Sequence, residues 1–145
     1  MSNAKVYTLL FLRLSLGLLM LVWGVDKLAN PSHGMAVAKG FYFGLFGARA
    51  LMPVLGIAQL VLGLLVILGL ARRYVYVALA AVTGVTLLGV WRSVLDPWGW
   101  YLGRTNALFF SSLIIFAGVL VLLAFRDEDQ LVLGRRRSDS GNTLS

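Results

Sequence analysis

The chain contains no cysteine and only one histidine, His33. Without cysteine there can be no disulfide, thiol redox centre, thiolate-held iron–sulfur cluster or covalent c-type haem. A lone histidine excludes a bis-histidine haem within one chain. His33 lies in the first connection beside Pro31 and reads as a solvated loop residue, a share in an intermolecular metal site being the alternative. No intrinsic cofactor and no metal site is therefore expected. Charge is scarce as well: 13% of residues are charged, against about 25% in soluble domains. What the chain has in abundance is apolar surface, with 59% hydrophobic residues and a mean hydropathy of +0.86. This balance describes an integral membrane protein.

A membrane-crossing helix needs roughly 20 apolar residues, and four runs reach that length: Val6–Val25, Leu51–Leu70, Tyr74–Leu95 and Asn106–Phe125. The expected fold is all-α, a polytopic membrane protein whose four transmembrane helices form one bundle over residues 1–126. A polar, disordered cytoplasmic tail is expected over residues 127–145. Arg72-Arg73 and Asp96–Thr105 leave short connections, so helical hairpins follow. The first connection is longer, and its segment Met35–Arg49 reads as a short interfacial or re-entrant helix. Val6–Val25 is too long for the core of a cleavable leader and lacks a small-residue cleavage site after it, so an uncleaved first helix is expected.

Lys and Arg concentrate on the cytoplasmic side of membrane proteins. Lys5, Arg72, Arg73, Arg126, Arg135, Arg136 and Arg137 would share one side, and Lys27, Lys39, Arg49, Arg92 and Arg104 the other. Both termini are therefore expected to be cytoplasmic, in a bacterial cytoplasmic membrane. The net charge of +7 raises the question of nucleic acid, but Arg135-Arg136-Arg137 follows a final span. There, anionic lipid attracts each cation by about 1 kcal/mol. Asp127, Glu128 and Asp129 partly cancel the basic run. Membrane lipid is the expected partner, and nucleic acid is not.

Arg13 interrupts the first apolar run, where a charge is costly. On a helix, Arg13, Gly17, Met20, Gly24 and Lys27 fall on one stripe, so the charge is expected to face protein. In the second run, Gly56 and Gly63 flank Gln59, and small residues allow close helix approach. Gly17, Gly24, Gly56 and Gly63 are the expected packing positions. Similar depths suggest that Gln59 accepts a hydrogen bond from Arg13; the alternative is an Arg13 that snorkels to lipid phosphate.

The opposite end gathers Trp23, Asp26, Lys27, Trp91, Arg92, Asp96, Trp98, Trp100, Tyr101, Arg104 and Asn106, with Phe41, Tyr42 and Phe43 available from the first connection. An aromatic belt with cationic anchors accounts for most of them. The sharper reading is a head-group pocket for a quinone or other lipid, built from Lys27, Trp91, Arg92, Asp96, Trp98, Arg104 and Asn106. Asp26 or Asp96 would exchange a proton there or pair with a neighbouring cation.

The pattern Arg13-x3-Gly17-x6-Gly24-x2-Lys27, then Asn30-Pro31, then Leu55-Gly56 through Gly63 to Gly69 and Arg72-Arg73, resembles the DoxX/DoxD family over Thr8–Phe125. The family often carries an acidic residue near the position of Gln59, which cannot titrate. The resemblance implies a four-helix membrane protein similar to the small subunit of thiosulfate:quinone oxidoreductase, to a membrane partner of detoxifying redox enzymes, or to an assembly factor. Two functions are carried forward: an accessory subunit of a quinone-linked redox complex, not catalytic alone, and a structural or assembly subunit docking through glycine-lined faces. Other membrane subunits, or a second copy of the chain, are the expected protein partners. A transporter is disfavoured by the lack of an inverted repeat or broken helix.

Overall fold

Ser2 opens the first helix by accepting a hydrogen bond from the Lys5 backbone N–H, which satisfies one of the free donors of a helix start. The computed structural model describes residues 2–41 and 50–133. Six α-helices follow in order: α1 (Asn3–Ala29), α2 (Pro31–Phe41), α3 (Leu51–Leu68), α4 (Arg72–Gly89), α5 (Trp91–Leu95) and α6 (Ser111–Ala124). Single 3-10 turns, Ala107–Phe110 and Arg126–Glu128, flank α6. No strand occurs among the described residues. Three helical segments, Asn3–Ala29, Leu51–Leu68 and Ala107–Ala124, are long and apolar enough to cross a membrane. α4 has 18 residues as well, but Arg72 and Arg73 open it.

Several boundaries differ from those expected. α1 runs beyond Val6–Val25 at both ends. The run Tyr74–Leu95 is broken at Val90, which ends α4 with φ −102° and starts α5. The loop helix begins at Pro31, whose fixed φ and missing N–H suit a first helical position. The remainder of that expected helix, including Tyr42, Phe43 and Arg49, lies outside the described residues, as do Arg135, Arg136 and Arg137. Residues 127–133, expected in a disordered tail, pack against the bundle: Asp129 is 1% exposed and the Leu133 N–H donates to Leu68 O.

The long helices form two antiparallel pairs, α1 with α3 and α4 with α6. One core joins the pairs, made of Leu16, Met20, Val66, Val75, Tyr76, Leu79, Val119 and Leu122. The outward faces are equally apolar. On α1, Tyr7, Phe11, Leu18, Val22 and Val25 are exposed, as are Val54, Ile57, Val61 and Leu64 on α3. Such faces suit lipid rather than water. Hydroxyls inside the helices turn back on their own backbone, Thr83 to Leu79 O at 2.8 Å and Thr86 to Val82 O at 2.9 Å. That arrangement satisfies both hydroxyl donors where water is absent.

Glycine sets the closeness of α1 and α3. A Cβ at Gly17 would stand 3.0 Å from the Gly63 carbonyl oxygen, and one at Gly24 would stand 2.8 Å from that of Gly56. Both neighbours are backbone and cannot yield. Gly17→Val and Gly24→Val should each lower stability by about 1–3 kcal/mol through overpacking. Gly118→Ala, which meets only the flexible Leu12 tip at 3.2 Å, should be tolerated. Thermal unfolding in detergent measures the difference, and equal midpoints for all three variants would refute the close-contact account.

Candidate functional site

Two polar constellations lie at opposite ends of the bundle. The first is at the end where α1 begins and α6 ends, called here the terminal end. Arg13 is 2% exposed. Its Nη1 donates to Asp129 Oδ1 at 2.6 Å, and its Nη2 donates to the Leu131 carbonyl. The Tyr76 hydroxyl donates to the other Asp129 oxygen at 2.6 Å. Arg72 Nη1 reaches the carbonyls of Arg126 and Asp129, at 2.6 and 2.8 Å. Lys5 pairs with Glu128 and lies over the Phe125 ring. Residues 126–133 are thus gripped by side chains of α1 and α4. Gly69, which ends α3 with φ 69°, completes the seat, because a Cβ there would collide with Val132.

The structure does not bring Arg13 and Gln59 together. Gly17 faces Gly63 and Gly24 faces Gly56 in antiparallel helices, so Arg13 stands level with Ile67, and Gln59 with Leu21. Eight residues separate those levels, about 12 Å along the axis. Side chains also lean toward the N-terminus of their own helix, so Arg13 and Gln59 lean apart. By the same rule Lys27 and Gln59 lean together, and Lys27 Nζ donates to Gln59 Oε1 at 2.8 Å.

That Lys27–Gln59 bond belongs to the second constellation, at the distal end. It heads a cleft of about 930 Å³ between the helix pairs. α1 contributes Trp23, Asp26 and Lys27, and α2 contributes His33, Gly34 and Ala38. Met52, Leu55, Gln59, Leu62 and Leu65 of α3 face Tyr74, Val75, Ala78, Val82 and Val85 of α4, with Phe109 and Ser112 beside them. Val61, Ala78, Ala81 and Val85 line the cleft and are exposed, so it is open along one side. From Tyr74 to Val90 its wall extends about 24 Å. At its mouth His33 Nδ1 lies 2.7 Å from Asp26 Oδ2; a carboxylate only accepts, so the ring nitrogen carries the proton.

Of the expected head-group residues, Lys27 lines this cleft, whereas Trp91, Arg92, Asp96, Trp98, Arg104 and Asn106 do not. Arg92 stacks on Trp91, and Trp98 on Trp100, with Trp98 70% exposed. Arg104 is exposed at a positive φ of 49°. Asn106 caps the 3-10 turn by accepting from the Leu108 N–H. Among the described residues Asp96 meets no cation. Its carboxylate accepts from the backbone N–H groups of Trp100, Tyr101 and Leu102. Donation from Leu102, and then from Tyr101, holds this carboxyl below its ordinary range against the opposing effect of burial.

Sequence reasoning missed Asp129, Tyr76 and the Asp26–His33 pair. One signal was present. Leu131-Val132-Leu133 follows the acidic run, and a solvated tail has no use for such an apolar stretch.

Three outcomes follow. Removing one member of the buried pair, by Asp129→Ala or Arg13→Ala, should cost about 3–5 kcal/mol, whereas Arg13→Met with Asp129→Leu should recover most of it in thermal melts. Double-mutant cycles should give no coupling between Arg13 and Gln59, and about 0.6 kcal/mol or more between Lys27 and Gln59; the reverse pattern would overturn the register argument. Because the Asp96 pKa is depressed by folding, its contribution is complete above the ordinary value of about 3.9 and is lost as pH falls through the lowered one. Amide exchange at Tyr101 and Leu102 should therefore be protected at neutral pH and accelerate, relative to the unfolded chain, in strong acid or in Asp96→Ala.

No curated protein and no solved structure matches the chain. The DoxX family model matches residues 8–92, which takes in most of α1, all of α3 and α4 with α2 between them, and both halves of the glycine contact. It stops before α6 and the segment that supplies Asp129. By that match, carried on a fold with three membrane-length apolar helices, the chain belongs to the DoxX family of membrane proteins.

Proposed function

We propose that the protein is an accessory membrane subunit that holds an isoprenoid quinone in the cleft between α3 and α4 and works beside a redox partner in the bacterial cytoplasmic membrane. The observation that carries this reading is the cleft itself. It is long and apolar, opens sideways between helices, and ends at polar groups rather than at a closed wall. Concave, mostly apolar sites with a few convergent polar groups are where small ligands bind. Lys27 and Gln59 offer N–H donors to a quinone carbonyl, and Trp23 supplies a ring beside it. With no cysteine and one histidine the chain offers few ligands for an electron carrier, so in this reading the electrons come from the partner.

In this reading α4 is a fourth span. Its 18 residues reach about 27 Å, and it packs antiparallel to α6. Both termini are then cytoplasmic, with Arg72 and Arg73 on the same side and α2 at the opposite surface. The assembly reading relied on Gly17 and Gly63 to dock another complex, and those two glycines lie against each other. A partner would instead meet the lipid-facing sides of the helices.

The test is binding of a short-chain quinone analogue to purified protein. Ala78→Trp, which fills the middle of the cleft, should abolish binding, while Arg92→Ala and Arg104→Ala should leave it unchanged. Binding that survives Ala78→Trp, or is lost with Arg104→Ala, would move the site to the aromatic loop. No binding at all would end the quinone reading.

A further inference from the structure

Each buried cation at membrane depth needs a counter-charge or a polar cage, because an unpaired charge in apolar surroundings is costly. Arg13 has its carboxylate, Asp129, at 2.6 Å. Lys27 has none. It lies half-buried on the α1 stripe, and no carboxylate comes within ion-pair distance of it among the described residues. Its bond is to a neutral amide, Gln59. The adjacent acid, Asp26, is engaged by His33 at 2.7 Å at the mouth of the cleft.

The donor arithmetic points the same way. Gln59 Oε1 accepts from Lys27 and keeps one lone pair, whereas four N–H groups remain, two on the ammonium and two on the amide. Such a donor-rich pair is matched by an oxygen anion, which only accepts. Beyond these groups the walls are mainly apolar, Leu62 and Leu65 on one side and Val75 and Val82 on the other, with Tyr74, Thr86 and Ser112 the hydroxyl-bearing residues among them, a surface for a hydrocarbon chain.

We propose that the cleft is a site for an anionic amphiphile, whose carboxylate or phosphate oxygens supply the missing counter-ion of Lys27 while its hydrocarbon chain lies between α3 and α4. This rests on the cleft being the ligand site, as in the quinone reading, and goes beyond it by naming a second ligand class whose head is charged. The ligand enters sideways from the bilayer past Ala78 and Ala81. Its two sources, a free long-chain fatty acid and an anionic phospholipid, share this chemistry and are separated by the test.

Trp23 lines the cleft, whereas Trp91, Trp98 and Trp100 do not. A variant carrying Trp91→Phe, Trp98→Phe and Trp100→Phe therefore leaves one fluorophore in the site, and bromine on a bound chain quenches it. The probes are bromostearate at neutral pH, the corresponding bromo-alcohol, and chain-brominated phosphatidylglycerol and phosphatidylcholine. Bromostearate should quench at a concentration about tenfold lower than the alcohol, a difference of about 1.4 kcal/mol. Lys27→Met should erase that preference while alcohol quenching persists, and Lys27→Arg should keep it. If phosphatidylglycerol is the stronger quencher and phosphatidylcholine is not, the source is phospholipid; if bromostearate is the stronger, it is free acid. Acid and alcohol quenching alike in the protein with Lys27 intact would overturn the anionic assignment and leave the cleft as a site for neutral amphiphiles. Quenching by none of the probes would remove the amphiphile reading along with it.

Discussion

A guanidinium inside an apolar bundle must have its charge answered by protein, and the terminal end is organised around that requirement. Arg13 of α1 is answered by Asp129, a residue 116 positions away. To bring that carboxylate inward the chain must turn back after α6, and the turn needs anchors. Arg72 holds the carbonyls of Arg126 and Asp129, Tyr76 holds the second carboxylate oxygen, and the Leu68 carbonyl accepts from Leu133. One segment thereby touches α1, α3 and α4. A buried ion pair of this kind adds little net stability over a well-packed apolar substitute. What it fixes is the position of the returning segment, which Arg13 of α1 and Tyr76 of α4 hold through one carboxylate.

The second constraint is the glycine register of α1 and α3. Two backbone contacts, Gly17 with Gly63 and Gly24 with Gly56, fix which side chains can meet across the pair. Polar groups are sorted accordingly. Arg13 is directed to the terminal end and Lys27 to the distal end, and Gln59 belongs with Lys27. The glycines are consumed within the molecule. Their smallness serves an internal helix contact, which is what leaves the larger, lipid-facing side chains as the outer surface.

Between the two constellations α3 and α4 stand apart along the cleft. Joining them by a turn as tight as Gly69–Ala71, with left-handed residues on either side of Leu70, brings the helices together at the terminal end alone. The aromatic loop after α5 is a separate feature. Asp96 spends its carboxylate on that loop's backbone, while the exposed Trp98, Trp100 and Tyr101 suit the interface between lipid and water. In the proposed reading, the polar groups that would meet a ligand are Lys27, Gln59, Asp26 and His33, which line the cleft with Trp23 and not with the tryptophans of this loop.

The α-helical class, the membrane-length apolar runs, the buried stripe through Arg13, Gly17, Met20 and Gly24, and the family likeness were all legible in the chain, because each depends on local composition or on the helical repeat. The residues that would answer Arg13 and Lys27 were not. Depth counted from the ends of apolar runs misplaced Gln59, since α1 extends past its apolar run and side chains lean along the helix. Asp129 read as one of three solvated acids, because nothing local distinguishes an acid that folds back from one that does not. Composition and periodicity decided the solvent and the faces of the helices. Only the tertiary structure decided the partners of the charges and the existence of the cleft, because both depend on register and on distances between segments far apart in the chain.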